Sequence, residues 1–342
     1  MDRLSGAGDV PLDVLVDVRT VAAWQGYGLP ATQDPEDGPG PGFVAADPAP
    51  APEAVKLLDV RWTLAGSHRG HGEYLRGHLP GAVFVNMDTQ LAGHGAPRAG
   101  RHPLPDPERF GETVRMLGID DGDTVVAYDD AQGTSAARAW WLLRHAGLER
   151  VYLLDGGLAA WRAAGLPLQA GEVIPRAGTA RTTWGRMPVL DMDGAARLPH
   201  DGLLLDARSA ARYRGDEEPM DPQAGHIPGA VSGPTSQNVA EDGRFRSAAD
   251  LAERFRALGV REGTAVGTYC GSGVSAAHQV AALSIAGHRA ALYPGSWSAW
   301  SNTPGRPVAT GGEPGATTAS EQPTDPTTVT TTDPTTMEET TP

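Results

Sequence analysis

A chain of 342 residues with 42 acidic against 28 basic side chains carries a formal charge of −14 and a calculated pI near 5.1. That balance argues against nucleic acid or an anionic membrane as a partner for the whole surface, and a single cysteine excludes an intrachain disulfide or a cysteine-rich zinc site. No run approaches the roughly 20 apolar residues of a membrane span, and the opening Met1-Asp2-Arg3-Leu4-Ser5-Gly6 lacks the apolar stretch of a signal peptide, so a soluble, cytoplasmic protein of two ordinary domains is expected.

Taken in order, a first domain is predicted over 10–165, interrupted at 29–53 by a Pro/Gly/Ala-rich insertion that reads as a mobile loop. Within it, 124–128 and 151–154 read as strands, and 135–145 and 158–164 as helices. Residues 166–187, rich in Gly, Pro, Arg and Thr, read as a linker across the surface. A second domain follows over 188–309, and the Thr/Pro-rich remainder, 310–342, has almost nothing to bury and reads as a disordered tail. Alternating strands and helices predict an α/β fold in which a mostly parallel sheet is flanked by helices. Ligands in such folds sit beyond the carboxyl ends of the strands.

The second domain repeats the first. Leu57-Leu58-Asp59-Val60-Arg61 returns as Leu204-Leu205-Asp206-Ala207-Arg208, and Gly77-His78-Leu79-Pro80-Gly81-Ala82 returns as Gly225-His226-Ile227-Pro228-Gly229-Ala230. The block Leu154-Asp155-Gly156-Gly157-Leu158 is answered by Tyr293-Pro294-Gly295-Ser296-Trp297. The common order and spacing indicate tandem duplication of one domain. Because His78 and His226 recur in both copies, they read as structural members of their turns. His68, His71 and His94 lie among glycines with no supporting metal-ligand pattern.

The lone cysteine falls where a catalytic thiol is wanted. An apolar run, 263–268, leads into Thr268-Tyr269-Cys270-Gly271-Ser272-Gly273-Val274-Ser275, and an alanine-rich helical pattern follows to 286. Cys270 is therefore expected on a strand–loop–helix turn, where glycines let backbone N–H groups converge and the helix N-terminus favours negative charge. A thiol in that setting should have a lowered pKa and serve as a nucleophile. In the first copy, Asp129-Asp130-Ala131-Gln132-Gly133-Thr134-Ser135 answers this loop. Counting back from the shared Gly-x-Ser places Asp130 opposite Cys270, and a difference of one residue in loop length leaves Asp129 as the other candidate. A carboxylate at that position makes the first copy inert as a nucleophile.

These paired blocks, with the cysteine loop and Gly295-Ser296-Trp297, resemble the two-domain rhodanese-type sulfurtransferases over about residues 10–305. The resemblance implies tandem rhodanese-like domains, the second catalytic; no cofactor and no metal are expected. Cys270-Gly271-Ser272-Gly273-Val274-Ser275 is similar to the loop of the 3-mercaptopyruvate branch, whereas the thiosulfate branch carries basic residues after the cysteine. It also implies a proton relay of Asp88, His102 and Ser272, and an anion-binding arginine at Arg212. The second arginine usual in the mercaptopyruvate enzymes has no counterpart in Glu217-Glu218-Pro219-Met220-Asp221-Pro222, with Arg214 as a possible substitute.

The chemistry expected is attack by the Cys270 thiolate on a small-molecule sulfur donor, with the N–H groups of Gly271, Ser272, Gly273, Val274 and Ser275 holding the resulting persulfide. With no second cysteine, an external acceptor must take the sulfur: a thiol such as thioredoxin or glutathione, or cyanide. A thiosulfate-preferring enzyme on the same scaffold and a non-catalytic persulfide carrier are the alternatives. A cysteine phosphatase would need arginine six residues after the cysteine, where Ala276 stands.

Overall fold

A computed structural model describes residues 13–29, 54–64 and 66–315. Most of the predicted insertion and most of the predicted tail lie outside the described residues.

The first sheet has five parallel strands in the order β1-β5-β4-β2-β3, formed by β1 (Leu15–Val16), β2 (Val55–Asp59), β3 (Val83–Phe84), β4 (Thr124–Tyr128) and β5 (Val151–Leu154). β4 is central and buried along its whole length, as its unbroken apolar run requires. Around this sheet lie α1 (Val18–Trp24), α2 (Ser67–Arg76), α3 (Met87–Gln90), α4 (Pro107–Met116), α5 (Thr134–His145) and α6 (Gly157–Ala163). Asp17, Asn86 and Asp106 accept backbone N–H bonds at the starts of α1, α3 and α4, which explains where those helices begin.

The second sheet repeats the order as β7-β6-β8-β9, from β6 (Leu203–Asp206), β7 (Val231–Ser232), β8 (Val266–Tyr269) and β9 (Ala290–Leu292), all parallel. Its helices are α7 (Met192–Asp201), α8 (Ala210–Arg214), α9 (Ala248–Ala257), α10 (Ser275–Ile285) and α11 (Ser296–Ser301). The place of β1 is taken by Val189, which bridges to Leu292 beside β9.

Each copy carries the same buried polar network. Arg61 donates in a fork to Asp59 and on to the Gly77 carbonyl, and Tyr128 OH donates to Asp59 while accepting the Leu79 N–H. Arg208, Asp206, Gly225, Tyr269 and Ile227 repeat the arrangement. The two recurrent histidines are structural in geometry. His78 stacks on Tyr74 and His226 on Tyr213, each with Nδ1 against that tyrosine's carbonyl oxygen.

The copies join through α5 and α10, which are buried on nearly every side and share one apolar cluster. Neither helix has a solvent face to encode, which is why both read as nearly continuous apolar runs. The predicted linker is a strap, tied to the first copy through pairing of Gln169 with His78 and bonds from Gly178 to Arg115 and Ala180 to Ile119. The tail does not come loose at 310 as expected. Gly311 N–H donates to the Arg214 carbonyl and Gly229 N–H to the Pro314 carbonyl, so 310–315 straps the second copy as the linker straps the first.

Candidate active site

Cys270 follows the last residue of β8, at the carboxyl end of a central strand, and α10 starts five residues later. The residue is 1% exposed. The surroundings are nevertheless polar on the loop side. Gly273 N–H donates to Sγ (3.1 Å), and Cys270 N–H donates to Ser296 Oγ (3.1 Å). The loop is clamped from behind by α11, where Trp297 and Ser298 N–H groups donate to the Cys270 and Gly271 carbonyls. Gly273 has φ +81°, and a methyl group there would stand 2.5 Å from the Pro294 carbonyl oxygen, so only glycine fits.

The first copy shows what the same loop does with an anion. Asp129, not Asp130, occupies the position of Cys270: both follow the strand-ending tyrosine, and both precede the helix start by five residues. The loops are therefore equal in length. Counting from glycine misleads because Gln132, at φ +58°, takes the left-handed place of Gly273. The Asp129 carboxylate accepts four backbone N–H bonds, from Ala131, Gly133, Ser135 and Ala136. Burial raises its pKa and these donors oppose that rise.

His102 of the first copy reaches the second-copy loop, with Asp88 behind it. His102 Nδ1 is 2.8 Å from Ser272 Oγ, two residues from the thiol. The other end of the relay is looser than expected. His102 Nε2 lies 3.9 Å from Asp88 Oδ1, close enough for charge but not for a hydrogen bond. Asp88 instead accepts from Trp62 Nε1, Ser67 N–H and Ser67 OH. Burial opposes the Asp88 charge, but these donors and His102 outweigh it, so its pKa is lowered. Burial, assisted by Arg138 and Arg101, lowers His102 to about 4. The imidazole is thus neutral at pH 7 and can accept the Ser272 proton. An NMR titration of the His102 ring should show its midpoint near 4; a midpoint near the ordinary histidine value would contradict this environment.

Arg212 on α8 points at the cysteine loop, and a guanidinium missing from the sequence reading joins it. A methyl group built on Gly271 would stand 3.0 Å from Arg101 Nη2 and 3.1 Å from Arg212 Nη1. Among the described residues, neither nitrogen donates a hydrogen bond. Arg214 does not fill the second arginine's place; it pairs with Asp216 at the surface. Arg101 comes from the first copy, delivered by a backbone that passes over α11. Arg101 N–H donates to Ser298 Oγ, and Gly100 (φ +91°) packs where a methyl group would lie 2.7 Å from the Gly295 carbonyl oxygen. On their far sides Arg101 and Arg212 both bind Asp221, and Arg212 also forks onto Glu218.

Arg138 was also missed. It is fully buried on α5, and its guanidinium donates to the carbonyls of Leu91, His102, Pro103 and Gly273, joining the histidine segment to the cysteine loop. Burial lowers its pKa to about 10, opposed by the charge available at Cys270. No sequence signal marks it, because one arginine in an apolar helix reads as a solvated position.

The chain resembles known proteins throughout this region. A family described as Rhodanese-like domain matches residues 46–164 and 191–303. A putative thiosulfate sulfurtransferase, SseB, of Mycobacterium tuberculosis is 45% identical over 269 residues, covering 76% of this chain and 93% of that one. A probable 3-mercaptopyruvate sulfurtransferase of Pseudomonas aeruginosa is 45% identical over 261 residues, covering 75% and 92%. Among solved structures, the 3-mercaptopyruvate sulfotransferase SseA of Escherichia coli aligns with a TM-score of 0.64 at 34% identity, covering 71% of this chain and 92% of that one.

Proposed function

Because the chain belongs to the rhodanese-like family, as a tandem pair of its domains, we propose that it is a sulfurtransferase carrying sulfur from 3-mercaptopyruvate to an external thiol or cyanide through a persulfide on Cys270. The observation that carries the reading is the meeting at one loop of a thiol, a neutral histidine–serine pair and two guanidinium groups with unspent donors. The relatives named for mercaptopyruvate and thiosulfate support the reaction class.

Arg101 and Arg212 bind the donor's carboxylate, their forked N–H groups matching its two oxygens. The Cys270 thiolate attacks the donor sulfur, the S–S bond forms and the C–S bond breaks, giving Cys–S–SH and the enolate of pyruvate. The enolate carbon takes up one proton through Ser272 and His102, while the persulfide loses one and becomes an anion. The N–H groups of the loop hold that anion, with Gly273 N–H already on Sγ, much as backbone N–H groups of the equivalent turn and helix start hold the Asp129 carboxylate. An acceptor thiolate or cyanide then attacks the outer sulfur and restores the Cys270 thiolate.

Incubation with 3-mercaptopyruvate followed by intact-mass measurement should show a gain of one sulfur, about 32 Da, with release of one pyruvate. Cys270→Ser should show neither. Turnover should be more efficient with mercaptopyruvate than with thiosulfate; the reverse order would reassign the donor, and no adduct with either would reject the reaction.

A further inference from the structure

The acidic stretch after α8 has no part in the chemistry above, yet it reaches the donor site. Asp221 binds Arg101 and Arg212 together, and Glu218 lies on Arg212 at 2.7 and 2.9 Å. Both carboxylates are nearly inaccessible to solvent, at 2% and 4% side-chain exposure. Of the other cations, Arg208 touches Glu218 and is already balanced by Asp206, while Arg138 lies behind the loop on carbonyl oxygens and is no part of the cluster. Two arginines and two acids therefore make an electrically neutral cluster whose unspent N–H groups still face Gly271. Such a mouth retains directional recognition of a carboxylate but offers less positive potential than two unpaired guanidinium groups would. A monoanion and a dianion feel that difference unequally, since Coulomb energy scales with ligand charge.

We propose that Asp221 and Glu218 determine donor specificity, by cancelling the charge of Arg101 and Arg212 so that a monoanionic 2-oxo-carboxylate donor is favoured over the thiosulfate dianion. The inference rests on the sulfurtransferase reading of the site. It also accounts for an otherwise unfavourable feature, two acidic side chains buried beside an anion's binding place. Burial and the neighbouring Glu218 raise the Asp221 pKa, and Arg101 and Arg212 oppose that rise.

Asp221→Asn retains an acceptor oxygen for the arginines and removes one negative charge. In this variant kcat/KM for thiosulfate divided by kcat/KM for 3-mercaptopyruvate should rise about 10-fold or more over the parent protein. The thiosulfate value should also fall more steeply with added salt. Glu218→Gln should move the ratio in the same direction. If the carboxylates merely orient the arginines, both donors lose efficiency together and the ratio stays within about 2-fold, which overturns the proposal; the ratio is read only from variants whose thermal midpoint shows them folded. A parent protein that forms no Cys270 persulfide with either donor would instead remove the underlying reaction.

Discussion

His102→Ala is expected to lower kcat with 3-mercaptopyruvate by about 10²- to 10³-fold while changing kcat with thiosulfate by no more than about 3-fold. The asymmetry follows from the leaving groups. Loss of sulfur from mercaptopyruvate leaves an enolate, which must gain a proton before it is a stable product. Loss of sulfur from thiosulfate leaves sulfite, which departs as a stable anion and asks for no proton. His102 Nδ1 is within hydrogen-bond reach of Ser272 Oγ, and the ring is held neutral by burial and two arginines. Ser272→Ala should reproduce the effect, and the double variant should be no worse than either single one if the two side chains act as one path. Asp88→Asn should be milder, about 10-fold, because Asp88 meets His102 at 3.9 Å through charge alone. Single-turnover release of pyruvate and of sulfite measures each arm. Equal losses with both donors would mean that His102 supports the loop rather than moving a proton.

Much of this site was legible from the chain because it is carried by short contiguous blocks. The strand leading into Cys270, the two glycines and the helix after it are local features, and local backbone chemistry dictates them. The Asp88, His102 and Ser272 set was reachable only through resemblance, since two members lie in the other domain. Arg101 and Arg138 were not legible at all. Their partners are 120 and 135 residues away, and nothing in Arg101-His102-Pro103 or in the apolar helix around Arg138 records that approach. The mistaken pairing of Asp130 with Cys270 has a more particular cause. A left-handed backbone position usually announces itself as glycine, but here Gln132 adopts it, and the glycine used for counting stands one residue later. The strap at 310–315 was hidden for a similar reason: its hold comes from backbone bonds to the turns at 214 and 229, which composition does not encode.

Asp59→Asn and Asp206→Asn should each destabilise the protein by about 3–5 kcal/mol, lowering the thermal midpoint by roughly 10 °C, but only the second should also weaken donor binding. In both copies an arginine less than 5% exposed is forked onto one carboxylate. Burial opposes the Arg208 charge and Asp206 more than offsets it, so the arginine's pKa is raised; Arg61 is raised in the same manner by Asp59. An amide keeps the shape but removes the compensating charge, and the buried tyrosine that donates to Asp59 loses an ionic acceptor. The copies differ in what lies next to the arginine. Arg208 Nη1 already touches Glu218 at 3.3 Å, and the guanidinium stacks over Trp297. Deprived of Asp206, Arg208 must draw on Glu218, the same carboxylate that holds Arg212 beside Gly271. Among the described residues, the Arg61 side chain bonds only to Asp59 and the Gly77 carbonyl, with no such link to the donor site. Denaturation midpoints together with KM for mercaptopyruvate separate the two consequences. KM should rise several-fold in Asp206→Asn and stay within about 2-fold in Asp59→Asn. Identical KM values in both variants would show that the duplicated ion pair supports folding alone, with no coupling to the arginines at the mouth of the cysteine loop.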